Sequence, residues 1–278
     1  MIYIVTAIYH EAKPLIEYYN LKRTHKISKY QIFENDEIKL IISGTGVFTA
    51  TIATTYLLTL FNAKTSDLIL NIGVAGTKNK DFHLGQAFLC HKVIYHETNK
   101  SYYPDIIIKH PFSEGTLETF SQIVDKSLTK NFQGDLFDME GAGFFEAASS
   151  FLPPHNIYLV KIVSDFLEPT TVSKEMVTKL INENLTNILK LIQNSLAINQ
   201  VNITDLLTED DYKLLSKIGD NLQLSSTMRH QLIQLAKQFI IRTKHNLSIL
   251  DDFSDTYVES KYEGKKYFEQ IKERLLFK

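Results

Sequence analysis

Three carboxylates stand where charge is costly unless something uses it. Glu140 lies in Phe137-Asp138-Met139-Glu140-Gly141-Ala142-Gly143, and Asp165 closes Leu159-Val160-Lys161-Ile162-Val163-Ser164-Asp165 about twenty-five residues later. Glu11 follows the apolar run at residues 2–8. An ionised group beside an apolar core loses its hydration unless a ligand or partner takes up its charge or lone pairs. Three such groups at strand–helix junctions imply a ligand pocket. Two small-residue turns occupy the same kind of position. Ser43-Gly44-Thr45-Gly46 follows one apolar run, and Asn71-Ile72-Gly73-Val74-Ala75-Gly76 forms the end of another. Glycines there let backbone N–H groups approach a ligand at a helix N-terminus. Dinucleotide binding would require a glycine near position 49 and an acid ending the next strand, where the chain has Thr49 and Asn71. Singly, each residue also fits a plainer role. Glu11 and Glu140 could complement a helix dipole, Asp165 could cap a loop, Phe120 could be core, and His10 and His96 read as structural.

The elements that must position these residues alternate. Apolar runs at 2–8, 38–42, 67–72, 84–91, 93–95, 117–123 and 157–163 read as strands, with a hairpin partner at 30–33. Helical patterns cover 12–19, 49–61, 141–150 and 174–196. This order predicts an α/β layer fold with helices on both sheet faces, in which ligands bind beyond the carboxyl ends of the strands. From residue 199 the texture changes to three helical segments, 208–222, 225–246 and 259–277, with Ser225 or Ser226 as N-cap of the second. The expected organisation is one domain over 1–198 and a helical C-terminal domain over 199–278, whose 12 basic and 12 acidic residues leave no basic footprint.

Bulk composition narrows the function. Apolar residues make up 44% and charged residues 22% of 278, with a net charge of −2, which gives no general attraction to nucleic acid or anionic membrane. No apolar run reaches the ~18 residues of a membrane span, and residues 1–8 read as a strand rather than a leader. The single Cys90 excludes an intrachain disulfide or a cysteine zinc cluster and reads as a buried thiol. The expected location is cytoplasmic, with no metal and no cofactor.

Taken together and in order, Ala7-Ile8-Tyr9-His10-Glu11, Ser43-Gly44-Thr45-Gly46, Asn71 to Gly76, Tyr95-His96-Glu97, Asp138-Met139-Glu140 and Ser164-Asp165 resemble the nucleoside phosphorylase superfamily, in particular its methylthioadenosine/S-adenosylhomocysteine nucleosidase branch. The resemblance covers residues 1–198. It implies a three-layer α/β/α nucleoside phosphorylase-like fold with a mixed central sheet, to which the C-terminal residues add a small all-helical appendage. It also implies roles. Asp165, oriented by Ser164, matches the acid that serves the purine N7, and Glu140 the residue that binds the 2′ and 3′ hydroxyls, with Met139 packed on the ribose. Glu11 would position and deprotonate water. Phe120 aligns with the aromatic that stacks on the base, Ala75 and Gly76 with backbone beside the purine, and Ser43 and Gly44 with further substrate contacts. The implied activity is hydrolysis of a purine nucleoside, a 5′-modified adenosine, by a homodimer in nucleoside salvage.

Phosphorylases grip phosphate with cationic groups, typically arginines. The four arginines here, Arg23, Arg229, Arg242 and Arg274, lie on none of the strand-end motifs, so water is the favoured nucleophile. Phosphorolysis and a non-catalytic nucleoside-binding scaffold remain the alternatives. The chain departs from the nucleosidase pattern at Val74, at Lys161 (where arginine is common) and at Leu117-Glu118-Thr119-Phe120. It is also shorter by about one helix between His96 and Phe120. The base and the 5′ substituent, from S-adenosylhomocysteine to 5′-deoxyadenosine or futalosine-like nucleosides, stay open.

Overall fold

The computed structural model describes residues 1–24, 29–124, 132–168, 172–202, 207–243 and 245–277. The chain divides into two compact units, Met1–Asn199 and Gln200–Lys278.

In the first unit the continuous apolar runs become central strands, because each can bury both faces. β1 (Ile2–Thr6) lies parallel between β4 (Ile38–Ile42) and β5 (Leu68–Thr77). β4 continues antiparallel into β3 (Gln31–Glu34), and β3 into β2 (Lys22–Arg23). On its other side β5 runs parallel to β10 (Ile157–Asp165), which pairs antiparallel with β6 (Ala87–Tyr95). β6 pairs antiparallel with β7 (Lys100–Tyr102) and parallel with β8 (Ser113–Thr119). β8 runs parallel to the short β9 (Leu136–Asp138), which returns antiparallel to Gly76 and Thr77 of β5. β5, β10, β6, β8 and β9 thus close on themselves, and the site carboxylates gather at this closed end.

Helices cover both faces. α1 (Tyr9–Tyr18), α4 (Lys174–Glu183) and α5 (Leu185–Asn202) pack Leu15, Val177, Ile181 and Ile188 on one side. α2 (Val47–Leu60) and α3 (Gly141–Ala148) pack Leu57, Ala142 and Phe144 on the other. The result is a three-layer fold around a mixed sheet. α2 and α3 approach closely because Gly143 has no side chain: a Cβ there would stand 2.3 Å from the Val47 carbonyl oxygen. Pro14 sits inside α1 and removes an N–H that would have bonded the His10 carbonyl. The Thr178 hydroxyl of α4 donates to that carbonyl instead, at 3.1 Å.

The second unit holds α6 (Glu209–Asn221), α7 (Ser226–Thr243), α8 (Asp251–Ser254) and α9 (Lys261–Phe277) around a core that includes Ile218, Leu222, Phe239, Leu250, Phe268 and Ile271. Ser225 accepts the Met228 N–H and is the cap of α7. Gly264 lets α9 cross the Leu222 carbonyl, which would lie 2.0 Å from a Cβ.

Several local boundaries differ from those read in the sequence. The strand expected at 117–123 ends at Thr119, while β9 carries no apolar run long enough to announce itself. The single helix expected over 174–196 breaks at Asn184, whose side-chain amide donates to the Leu180 and Gly85 carbonyls. The two short runs at 84–95 form one strand with a register shift between Cys90 and Lys92. The helix expected to reach Asn246 ends at Thr243, and Lys244 lies outside the described residues.

Candidate active site

Glu11 is buried in the first turn of α1, where the chain leaves β1. Its Oε2 accepts the Ala7 and Ile8 N–H groups at 2.8 and 3.1 Å, and its Oε1 accepts the Val74 N–H at 3.0 Å. The carboxylate therefore lies across the end of β5. Gly73 makes this possible, since a Cβ there would stand 2.6 Å from Oε1. Burial pushes the Glu11 pKa up, while the Lys161 charge and the three N–H groups pull against that rise.

Glu140 opens α3, but its side chain does not cap that helix. Oε1 instead accepts the Gly46 N–H at 2.8 Å, across 94 residues of sequence. Gly46 precedes α2 with φ 114°, a conformation that favours glycine. The N–H expected to face a ligand in this turn is thus taken by Glu140. The first N–H groups of α3 go elsewhere: Gly141 donates to Asp138 Oδ2 at 2.8 Å and Ala142 to Thr119 Oγ1 at 3.0 Å. Burial first, and then the adjacent Asp138, push the Glu140 pKa up to about 7, against the pull of Lys161.

Asp165 ends β10 at an irregularity that places it opposite Gly76. Its Oδ2 accepts the Ser164 hydroxyl at 2.8 Å, and its Oδ1 accepts the Glu168 N–H at 3.0 Å. Ser164 therefore fixes the carboxyl orientation. A Cβ on Gly76 would stand 3.2 Å from Oδ1, so the strand and the acid are in close contact.

Beneath these groups lies a buried cation. Lys161 Nζ is 2.7 Å from Asp138 Oδ2, and both side chains are at most 2% exposed. The Thr119 hydroxyl donates to Asp138 Oδ1 at 2.6 Å. Burial pulls the Lys161 pKa down, but Asp138, Glu140 and Glu11 together overcome it and leave the pKa raised. The nearby Cys90 is buried, and desolvation pushes its thiol well above the ordinary range.

One cavity of about 220 Å³ gathers Glu11, Glu140 and Asp165 with Ser164, Met139, Ala75 and Gly76. Of the turn at 43–46 only Thr45 reaches it, so Ser43 and Gly44 do not line the cavity. Phe120 does not line it either. Its ring is buried behind the wall, stacked on His96 at a centroid distance of 4.0 Å and against Phe132 and Phe137. Phe120 is the first residue beyond β8, and its N–H donates to the Asp138 carbonyl at 2.9 Å. The apolar wall is instead made by Ile123, Val124, Phe137 and Leu167. Sequence reasoning gave these four no role; Phe137 lay inside the Glu140 segment, and the other three had only their short distance from the motifs as a signal. Among the described residues no lysine or arginine lines the cavity, and no group of histidine, cysteine or carboxylate side chains could hold a metal.

No family model matches the chain. A 5′-methylthioadenosine/S-adenosylhomocysteine nucleosidase of Buchnera aphidicola is 30% identical over 128 residues, which is 44% of this chain and 53% of that protein. The matched region thus spans about half the length of that curated relative. Solved structures extend the likeness across the first unit. The Helicobacter pylori 5′-methylthioadenosine/S-adenosylhomocysteine nucleosidase, bound to butyl-thio-DADMe-Immucillin-A, superposes with a TM-score of 0.56 at 18% identity, covering 69% of this chain and 97% of that one. The futalosine hydrolase of the same organism gives 0.55 at 17%, with 69% and 97% covered. The Neisseria meningitidis nucleosidase with methylthio-immucillin-A gives 0.57 at 16%, with 68% and 98% covered. The chain has the nucleoside phosphorylase-like fold of these nucleosidases. The C-terminal helical unit lies largely beyond the part they share.

Proposed function

We propose that the chain hydrolyses the N-glycosidic bond of a purine nucleoside, a 5′-modified adenosine, with water as nucleophile. The observation that carries this is the meeting of Glu11, Glu140 and Asp165, from three distant chain segments, on one cavity. The 30% identical nucleosidase and the nucleosidase and futalosine hydrolase structures support it.

In this reading the C1′–N9 bond breaks and its electron pair goes to the purine. Asp165, held by Ser164, donates a proton to N7, so that the base leaves neutral. The sugar becomes oxocarbenium-like, and Glu140 beside its hydroxyls stabilises the developing positive charge. Met139 packs on the ribose. Glu11 takes the proton of the attacking water, and its burial suits it to that task by making the carboxylate more basic. The products are the free base and the sugar hemiacetal. Ile123, Val124, Phe137 and Leu167 take over the base-facing role first expected of Phe120.

Phosphate would meet Glu11, Asp138, Glu140 and Asp165 on the cavity wall without a described lysine or arginine lining it. Two dianionic or anionic partners in one desolvated site repel, and this favours water. The test is incubation with 5′-methylthioadenosine in phosphate-free buffer, following adenine release. A strict phosphate requirement would identify a phosphorylase, and binding without turnover across a panel of 5′-modified adenosines would leave a nucleoside-binding scaffold.

We also propose a homodimer and a cytoplasmic location. Phe48 and Ile52, one turn apart on α2, are 76% and 59% exposed and offer an apolar face for a second copy. No helix among the described residues is long and apolar enough to cross a membrane. Light scattering on the purified chain tests the dimer: a monomer mass at micromolar concentration removes it.

A further inference from the structure

We propose that Lys161 is a positioning residue for this site: its buried ammonium, anchored on Asp138, supplies the counter-charge against which Glu11 and Glu140 are held as carboxylates. The inference rests on the hydrolase reading for its functional meaning, but its geometry stands apart from it.

Strand register places the lysine. In the sheet Lys161 is paired with Gly73 of β5 and with Phe88 of β6. Directly paired residues project their side chains from the same face. Gly73 is the position over which the Glu11 carboxylate lies, so Lys161 rises from the sheet next to that carboxylate. Asp138 comes from β9 and holds the ammonium at 2.7 Å. Asp138 is itself fixed by the Thr119 hydroxyl and the Gly141 N–H. Glu140 follows two residues later, pinned by Gly46. The ionisable groups acting on Lys161 are thus Asp138 from β9, Glu140 from the start of α3 and Glu11 from α1, with the Cys90 thiol of β6 close by.

A fold could close this strand end without any charge. A buried ion pair is poor value for stability compared with packed apolar residues. Here the pair sits under two carboxylates that already lose hydration by burial. Without the lysine, Glu11 and Glu140 would more readily take up protons. Glu11 could then no longer accept a proton from water, and Glu140 could no longer offer a full charge to an oxocarbenium-like sugar. Lys161 acts through these two groups and does not line the cavity itself.

The experiment is a ¹³C NMR titration of carboxyl-labelled glutamates in the full chain, comparing wild type, Lys161→Met and Lys161→Arg, with the Glu140 signal assigned from its loss in Glu140→Gln. The Glu140 midpoint should rise by about one pH unit or more in Lys161→Met and hold in Lys161→Arg. The acidic limb of kcat/KM should move by the same amount, with about a five- to tenfold loss at neutral pH. A folded Lys161→Met protein with an unmoved Glu140 midpoint overturns the proposal. If Lys161→Met does not fold, Lys161→Gln, which keeps a donor for Asp138, is read by the same criterion. Absence of turnover by wild type on any nucleoside would sink the hydrolase reading, while the NMR midpoint still decides the role of Lys161.

Discussion

Charge is handled in opposite ways by the two units of this chain. In the α/β unit, Lys161 and Asp138 are sealed from solvent at 2% and 1% side-chain exposure, and Glu11 and Glu140 are buried beside them. In the helical unit the ion pairs lie on the surface, as in Lys217–Asp255 at 51% and 79%, while the core is built from Leu, Ile and Phe with Ala236 and Val258. Surface pairs contribute little to stability, and buried ones are costly to desolvate. A fold that needed only stability would resemble the helical unit throughout. The difference separates a unit held together by apolar packing from one that keeps charge inside its core.

The sharpest way to probe that difference is Asp165→Asn. Loss of the acid should lower kcat on 5′-methylthioadenosine about 10³-fold while changing KM by no more than about threefold. Steady-state kinetics with an unchanged kcat would exclude Asp165 as proton donor. Next in size is Asp138→Asn, which leaves Lys161 buried without its partner and should cost the α/β unit about 3 kcal/mol in urea unfolding. A smaller cost, under about 1 kcal/mol, would mean that the pair behaves like one on the surface.

Glu140→Gln sharpens the comparison through pH. The Glu140 pKa is raised in the folded chain from 4.5 to about 7, so its contribution to stability is present below pH 4.5 and lost as pH rises through about 7. Glu140→Gln removes that loss. The variant should melt about 2–4 °C above wild type at pH 8 and show little gain at pH 4, while losing activity. Equal gains at both pH values would show that ionisation of Glu140 is not the cause. The smallest effect belongs to Lys217→Met in the helical unit, where the partners are exposed. Its thermal midpoint should match wild type within error, and a clear drop would undo the contrast between the two units.

Much of the fold was legible because strand-end motifs combine local signals: an apolar run, a small-residue turn and a carboxylate. Glu11, Gly76, Glu140 and Asp165 could be singled out on that basis, and the cavity brings them together. Long-range pairings were not legible. Nothing near Gly46 announces that its N–H will be claimed by Glu140, 94 residues away. Phe120 was misplaced because its direction depends on where β8 stops, and that is set by pairing of Thr119 with Asp138 on a strand of three residues. Lys161 was visible as a departure, but its partner Asp138 could be recognised only once β9 and β10 were placed in one sheet.

Glu118 has a consequence for how such a site can change over generations. This buried residue of β8 accepts the N–H groups of Gln133 and Gly134 at 2.7 and 2.8 Å, while β9 just beyond is locked between β8 and β5. Gln133 and Gly134 are therefore a fixed mooring at the entry to β9. Substitutions at Ile123 and Val124, which line the cavity beyond β8, can alter what it admits without shifting Asp138 or Glu140. The lining of the cavity and the setting of its carboxylates are thus separately heritable, and mutation can explore the first while the second stays anchored.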